Sequence, residues 1–260
     1  MKTDSKKHNA IEKALTILNI FSPNNHELST NEISEKMGYH RATTSRTLLL
    51  LTSYGFLEQN RENKKFKLGP SIAILSSSLY RSLESKLIQL AKPYLEKLRD
   101  TTQETVVLEV LSGRTTVRAY SIEGPGPLHL IGTIGARLPI HATAGSKAIL
   151  AHLDPKTWDY FLDNDLPWRT ASTITDLNQY KKELRKAKTD GIAFDMEELD
   201  PDVCAMAAPV LNAEGIPIAA VVIATLAGHL KRDINSRKAI QLKKTADKIS
   251  EHIKKTAKMS

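Results

Sequence analysis

The segment from Ser29 to Leu68 constrains this chain most, because four structural signals follow one another there in an order few folds share. Ser29-x-x-Glu32 is a capping-box pattern, in which the Ser hydroxyl accepts the amide three residues on and Glu32 reaches back to the cap amide. A helix therefore starts here, with Ile33 and Met37 on its core side and the small Ser34 between them. Gly38 supplies a turn able to take positive φ. Arg41, Thr43, Thr44, Ser45 and Arg46 open the next helix, and short or fork-shaped donors in that position meet base edges and phosphates. After a turn at Tyr54-Gly55, residues 56–59 and 65–68 alternate like two strands about a basic tip. Helix, turn, helix and hairpin predict a winged helix-turn-helix. From the helix pair alone, residues 41–46 read equally well as a solvated face; the Lys-tipped hairpin shifts the reading to DNA. The candidate DNA-binding residues are Ser29, Arg41, Thr43, Thr44, Ser45, Arg46, Asn63, Lys64 and Lys65.

Charge supports that assignment. The formal net charge is +8, and residues 1–70 hold 11 Lys and Arg against 7 Asp and Glu, so half of the excess lies in about a quarter of the chain. A lone Cys204 excludes an intramolecular disulfide framework and a Cys-based zinc site, and no metal or cofactor is expected. The first seven residues lack the apolar core of a signal peptide, and the longest apolar run, residues 216–226, is too short to span a bilayer. These features predict a cytoplasmic protein with no membrane partner.

At 260 residues, one to two domains are expected. Ile11, Ala14, Leu15, Leu18 and Phe21 recur at helical spacing and predict a first helix over 10–21 beneath the other two. The DNA-binding unit closes at Gly69-Pro70, giving domains at 1–70, a helical linker at 71–85, and a sensor domain at 86–260. Ile72, Leu75, Leu79 and Leu83 mark one amphipathic helix, and Leu87, Leu90, Tyr94, Leu95 and Leu98 another, helices suited to linking domains and pairing subunits. From Thr105 the period falls to two: strands are predicted at 106–111, 115–122, 128–134, 192–196, 203–211 and 218–226. Helices are predicted at 143–152, 156–162, 177–188 and 237–255. Antiparallel strands with helices inserted over one face make the fold class α+β.

These landmarks resemble the IclR family of bacterial transcriptional regulators. The resemblance rests on Ile11-Glu-Lys-Ala-Leu-Thr-Ile-Leu18, Lys67-Leu-Gly-Pro70, the stretch from Arg137 to Ala151, Gly191-Ile-Ala-Phe-Asp-Met-Glu-Glu198 and Ala207-Ala-Pro-Val210. It implies a winged helix-turn-helix joined by a helical linker to a GAF-like C-terminal α/β sensor domain with a mainly antiparallel sheet. It also implies a homodimer or dimer of dimers, binding double-stranded DNA at a palindromic operator and a small organic acid effector. The effector site it implies comprises Ala144, Gly145, Ser146, Asp195 and Ala205, with apolar walls at Leu128, Leu130, Leu138 and Val203. A physical reading supports part of this, since small residues at a helix start leave amides that favour a carboxylate. Asp195 could accept from a ligand hydroxyl; the alternative for Asp195, Glu197 and Glu198 is a solvated acidic turn. His141 is expected to be structural.

Two departures from the family pattern bear on the ligand. Ser146 stands where many members have Gly, and Cys204-Ala205 stands where many have Arg-Cys. By strand alternation the thiol then faces away from the pocket, and a methyl group replaces a polar contact. Aromatic or branched acids are therefore expected to bind better than two- or three-carbon keto acids. A metabolic enzyme is the rival reading, with His141, Lys147, Asp195 and the thiol as its groups. The chain holds no HExxH, GxSxG or Walker motif, and Cys204 has no base partner in sequence, so no catalytic residue is assigned.

Overall fold

The computed structural model describes residues 10–21, 26–80, 83–125 and 134–257. The chain divides into two compact units, Met1–Ser82 and Leu83–Ser260. In the first, α1 (Ala10–Asn19), α2 (Thr30–Met37) and α3 (Arg41–Ser53) precede a hairpin of β1 (Leu57–Gln59) and β2 (Phe66–Leu68), and α4 (Pro70–Tyr80) follows. The capping box forms as the sequence predicts: the Ser29 amide donates to Glu32 Oε2 at 2.7 Å, and the Glu32 amide to Ser29 Oγ at 3.3 Å. Gly38 ends α2 at φ 64°. Ile17, Ile33, Leu48 and Leu51 from the three helices close on Leu28, Leu57 and Phe66, so helices and hairpin share one core. Leu28 also exchanges backbone hydrogen bonds with Phe66, extending the hairpin by one bridge. A Cβ at Gly69 would land on the Gly55 carbonyl, so the chain can leave the wing only through glycine.

The second unit holds α5 (Leu83–Thr102), β3 (Thr105–Ser112), β4 (Thr115–Ile122), β5 (Arg137–Leu138), α6 (Ala144–His152), α7 (Trp158–Phe161), α8 (Leu177–Asp190), β6 (Ala193–Met196), β7 (Val203–Leu211), β8 (Pro217–Leu226) and α9 (Arg237–Ala257). Its strands form one sheet in the order β5-β4-β3-β8-β7-β6, antiparallel throughout. The strand expected at 128–134 falls outside the described residues except for Ile134, which lies in a turn.

Strand alternation assigns side chains to two layers. Val106, Leu108, Val110, Cys204, Met206 and Ala208 pack with α5 and α9. Val107, Ala205, Ala207, Ala220 and Val222 pack with the inserted helices α6, α7 and α8. The Cys204 thiol is thus buried in the opposite layer from Ala205, as alternation predicts. A β-bulge interrupts the β3–β4 pairing: Leu108 pairs with Tyr120 but Glu109 with Arg118, leaving Ala119 unmatched. Tyr120 consequently packs toward the α5/α9 layer, while Arg118 shares a cavity with Glu109 on the α6 side.

Candidate functional site

On the DNA side, α3 is held by the buried Thr44, Leu48 and Leu51, and exposes Arg41, Ala42 and Arg46, with Thr43 and Ser45 half-buried. Thr44 must be withdrawn from the DNA-reading set: it is fully buried, and its hydroxyl turns back to the His40 carbonyl at 3.4 Å. His40 makes no side-chain cap, so no side chain competes for the first amides of α3 at the cap position. Ser29 spends its hydroxyl on the capping box. At the wing, Asn63 donates to Glu27 at 2.9 Å and accepts the Lys65 amide, and Lys65 lies 3.8 Å from Glu32. Lys64 is exposed at φ 58°, and Arg61, absent from the sequence-derived set, is exposed beside it.

In the second unit a cavity of about 240 Å³ opens between the sheet and the start of α6. Ala144, Asp195, Val203 and Ala205, four of the residues the resemblance implies, line it together with Thr105, Val107, Glu109, Arg118, Thr143, Leu199, Asp200, Val222 and Ala224. Leu138 is buried but does not line it, and Leu128 and Leu130 fall outside the described residues. Gly145 and Ser146 are also absent from its wall. The Ser146 amide is already taken by Thr143 Oγ1 at 2.9 Å, and its hydroxyl bonds Thr143 at 2.6 Å and Thr116 at 2.9 Å.

The start of α6 is therefore not an open cradle of amides. Glu109 occupies it: its carboxyl accepts the Thr143 hydroxyl at 3.2 Å, and a Cβ at Gly145 would land on that carboxyl. Burial pushes the Glu109 pKa up to about 7, against the opposing pull of Arg118 and of hydroxyls from Thr143 and Thr116. Arg118 follows the same logic from the other sign. Burial lowers its pKa while Glu109 and Asp200 raise it. Its Nε is buried without a hydrogen-bond partner among the described residues. Sequence reading missed this pair. The available signal was a single Glu within the apolar run Val106 to Leu111 and an Arg in the strand after it.

Asp195 is no solvated turn residue. It is 3% exposed, and burial raises its pKa to about 7. Its Oδ1 accepts the Glu198 amide at 2.7 Å, which leaves the other oxygen for the cavity. Glu197 and Asp202 adopt left-handed φ of 63° and 61° to shape the turn. Thr170 and Thr173 donate to the Glu197 and Glu198 carbonyls at 2.6 and 2.8 Å, holding that turn from the loop before α8. Behind it Lys147, fully buried, donates to the Phe194 carbonyl at 2.9 Å and pairs with Glu198. Removing either partner alone would leave a buried charge, at a cost of about 3–5 kcal/mol. His141 bonds the Pro167 carbonyl at 2.8 Å and burial lowers its pKa, consistent with a structural role. Among the described residues no group of His, Cys, Asp and Glu could hold a metal ion, and no helix is long and apolar enough to cross a membrane.

Both units match known families. Residues 10–61 match the IclR helix-turn-helix domain, and residues 82–251 match the domain described as bacterial transcriptional regulator IclR C-terminal. The chain is 32% identical to the HTH-type transcriptional regulator XynR of Escherichia coli over 85% of its own length and 87% of that protein. It is 27% identical to the regulator TtgV of Pseudomonas putida, covering 90% and 88%. These relatives are named as regulators, not as enzymes. Among solved structures, Thermotoga maritima IclR superposes with a TM-score of 0.71 at 26% identity over 95% of this chain and 99% of that one. An IclR homologue from Microbacterium hydrocarbonoxydans, crystallised with 4-hydroxybenzoate, gives 0.77 at 20% identity over 95% and 100%. With a helix-turn-helix that exposes two arginines, a sheet domain that holds a polar cavity, and family matches over both, the chain belongs to the IclR family of bacterial transcriptional regulators.

Proposed function

We propose that this regulator binds a palindromic operator as a homodimer or dimer of dimers, and that a small organic acid in the cavity of its sensor domain modulates that binding. The observation that carries the DNA half is the division of α3, whose buried face carries Thr44, Leu48 and Leu51 and whose open face presents Arg41 and Arg46. Guanidinium forks suit guanine edges and phosphates, while Thr43 and Ser45 are placed for finer contacts. Lys64, Lys65, Asn63 and Arg61 of the wing then add phosphate contacts that carry little sequence information. We assign residues 71–85 as the linker.

The cavity carries the effector half. At about 240 Å³ it suits a small ligand, and its walls combine apolar Val107, Val203 and Val222 with carboxyls and one guanidinium. The 4-hydroxybenzoate found with the Microbacterium relative is a natural first probe for this chain. The test is operator selection from random DNA followed by fluorescence anisotropy. Arg41→Ala and Arg46→Ala are each expected to weaken the selected site by about 1–3 kcal/mol, with relaxed preference at the base they read. Wild-type affinity in both variants would show that α3 is not the reading helix.

A further inference from the structure

We infer that Arg118 is the anion receptor of the cavity: it takes the effector's carboxylate, with Glu109 on the neighbouring strand as a resident carboxyl whose charge competes with the ligand's for the guanidinium. The inference deepens, and rests on, the reading of this cavity as the effector site. Its class of ligand is a hydroxy acid, with one carboxylate at the Arg118 end and a neutral hydroxyl facing Asp195.

Three observations carry it. The amide end of α6 is filled, since Ser146 N–H is bonded to Thr143 and the Glu109 carboxyl lies against Gly145, so a second carboxylate there would meet the first. Arg118 lines the same cavity, and its buried Nε lacks a partner among the described residues, a donor that a bidentate carboxylate would satisfy. The Arg118 backbone is fixed on both sides, by Glu109 across the β3–β4 pair and by hydrogen bonds to Ala136 and Gly135, so the guanidinium is presented by a rigid strand.

Charge selects the rest of the ligand. Among the described residues lining the cavity, Glu109 on β3, Asp195 on β6 and Asp200 beyond it share it with one cation, Arg118, and with the hydroxyls of Thr105 and Thr143, and Lys147 paired to Glu198 lies behind Asp195. A diacid would set its second carboxylate against Asp195 and Asp200, whereas a hydroxyl would donate to them. Glu109, about half ionised at pH 7, competes for Arg118 increasingly as pH rises through that value.

The test is calorimetry on the full chain with 4-hydroxybenzoate, 2-hydroxyisovalerate and gluconate, each against its primary amide, at pH 6 and pH 8. At least one acid is expected to bind, its amide far more weakly. Arg118→Gln should weaken that acid roughly tenfold or more without changing the amide, because a charge-assisted pair is lost. Glu109→Gln should tighten the acid severalfold at pH 8 and little at pH 6, a change that a merely structural Glu109 would not produce. If Arg118→Gln does not fold, the Glu109→Gln arm decides alone: tightening at pH 8 supports the inference and unchanged affinity overturns it. If an acid binds and Asp195→Ala weakens it while Arg118→Gln and Glu109→Gln do not alter it, Arg118 is not the receptor and the effector site stands. If no acid in the set binds wild type, both readings fall.

Discussion

Glu109 sits where burial works against charge, and the sign of that conflict is measurable. Its pKa is near 4.5 in an unfolded chain and about 7 here, so the folded state binds the proton more tightly. The stability this contributes is complete below pH 4.5 and is lost as pH rises through 7, by about 3 kcal/mol in all. Asp195 acts in the same direction. Glu109→Gln, which cannot ionise, is expected to melt near wild type at pH 5 and several degrees above it at pH 8, at about 2–4 °C per kcal/mol. Equal melting temperatures at pH 8 would mean that the carboxyl is better solvated than its burial indicates. Gly145 tests the same contact by shape. A methyl there lands on the Glu109 carboxyl, so Gly145→Ala should destabilise by about 1–3 kcal/mol in thermal melts. Adding Glu109→Ala should recover part of that loss, because the two sites share one space.

Elements whose form depends on local chemistry were legible in the sequence. The capping box, the glycine that ends α2 and the hairpin follow from neighbours a few residues apart, and all stand where the pattern places them. Ser29→Ala should therefore cost about 1 kcal/mol in chemical denaturation. What a helix buries is harder to read when its polar and apolar residues are mixed: Thr44 stands among four polar residues, and only packing against the core shows that it faces inward. The Glu109–Arg118 pair was illegible for another reason, since residues on separate strands meet only through a register that no local pattern encodes. In the wing, Lys65 is drawn toward Glu32 while Lys64 is free of such a contact among the described residues. The double variant Lys64→Ala/Lys65→Ala should weaken all DNA sequences alike and shallow the plot of log affinity against log salt by about one to two units. An unchanged slope would remove both lysines from the phosphate contacts.

For the whole molecule, regulation requires that ligand and DNA prefer the same or opposite arrangements of the protein, and thermodynamics makes that preference mutual. If a bound acid changes operator affinity by some factor, operator must change acid affinity by the same factor, with about 5- to 150-fold usual for such coupling. Anisotropy with saturating acid and calorimetry with saturating operator should return one number; two different numbers would point to a second site for the acid. The bulge in β4 sets a different kind of limit on this protein. With Ala119 as the extra residue, Arg118 and Tyr120 lie two apart in sequence yet on opposite faces of the sheet. Deleting Ala119 would make those two residues neighbours, for which plain alternation already means opposite faces, so the guanidinium would keep its side of the sheet and its pairing with Glu109. The strand therefore carries one codon of slack, at Ala119, whereas losing a paired residue such as Ser121 would set Tyr120 opposite Val107 and turn the ring toward the cavity side.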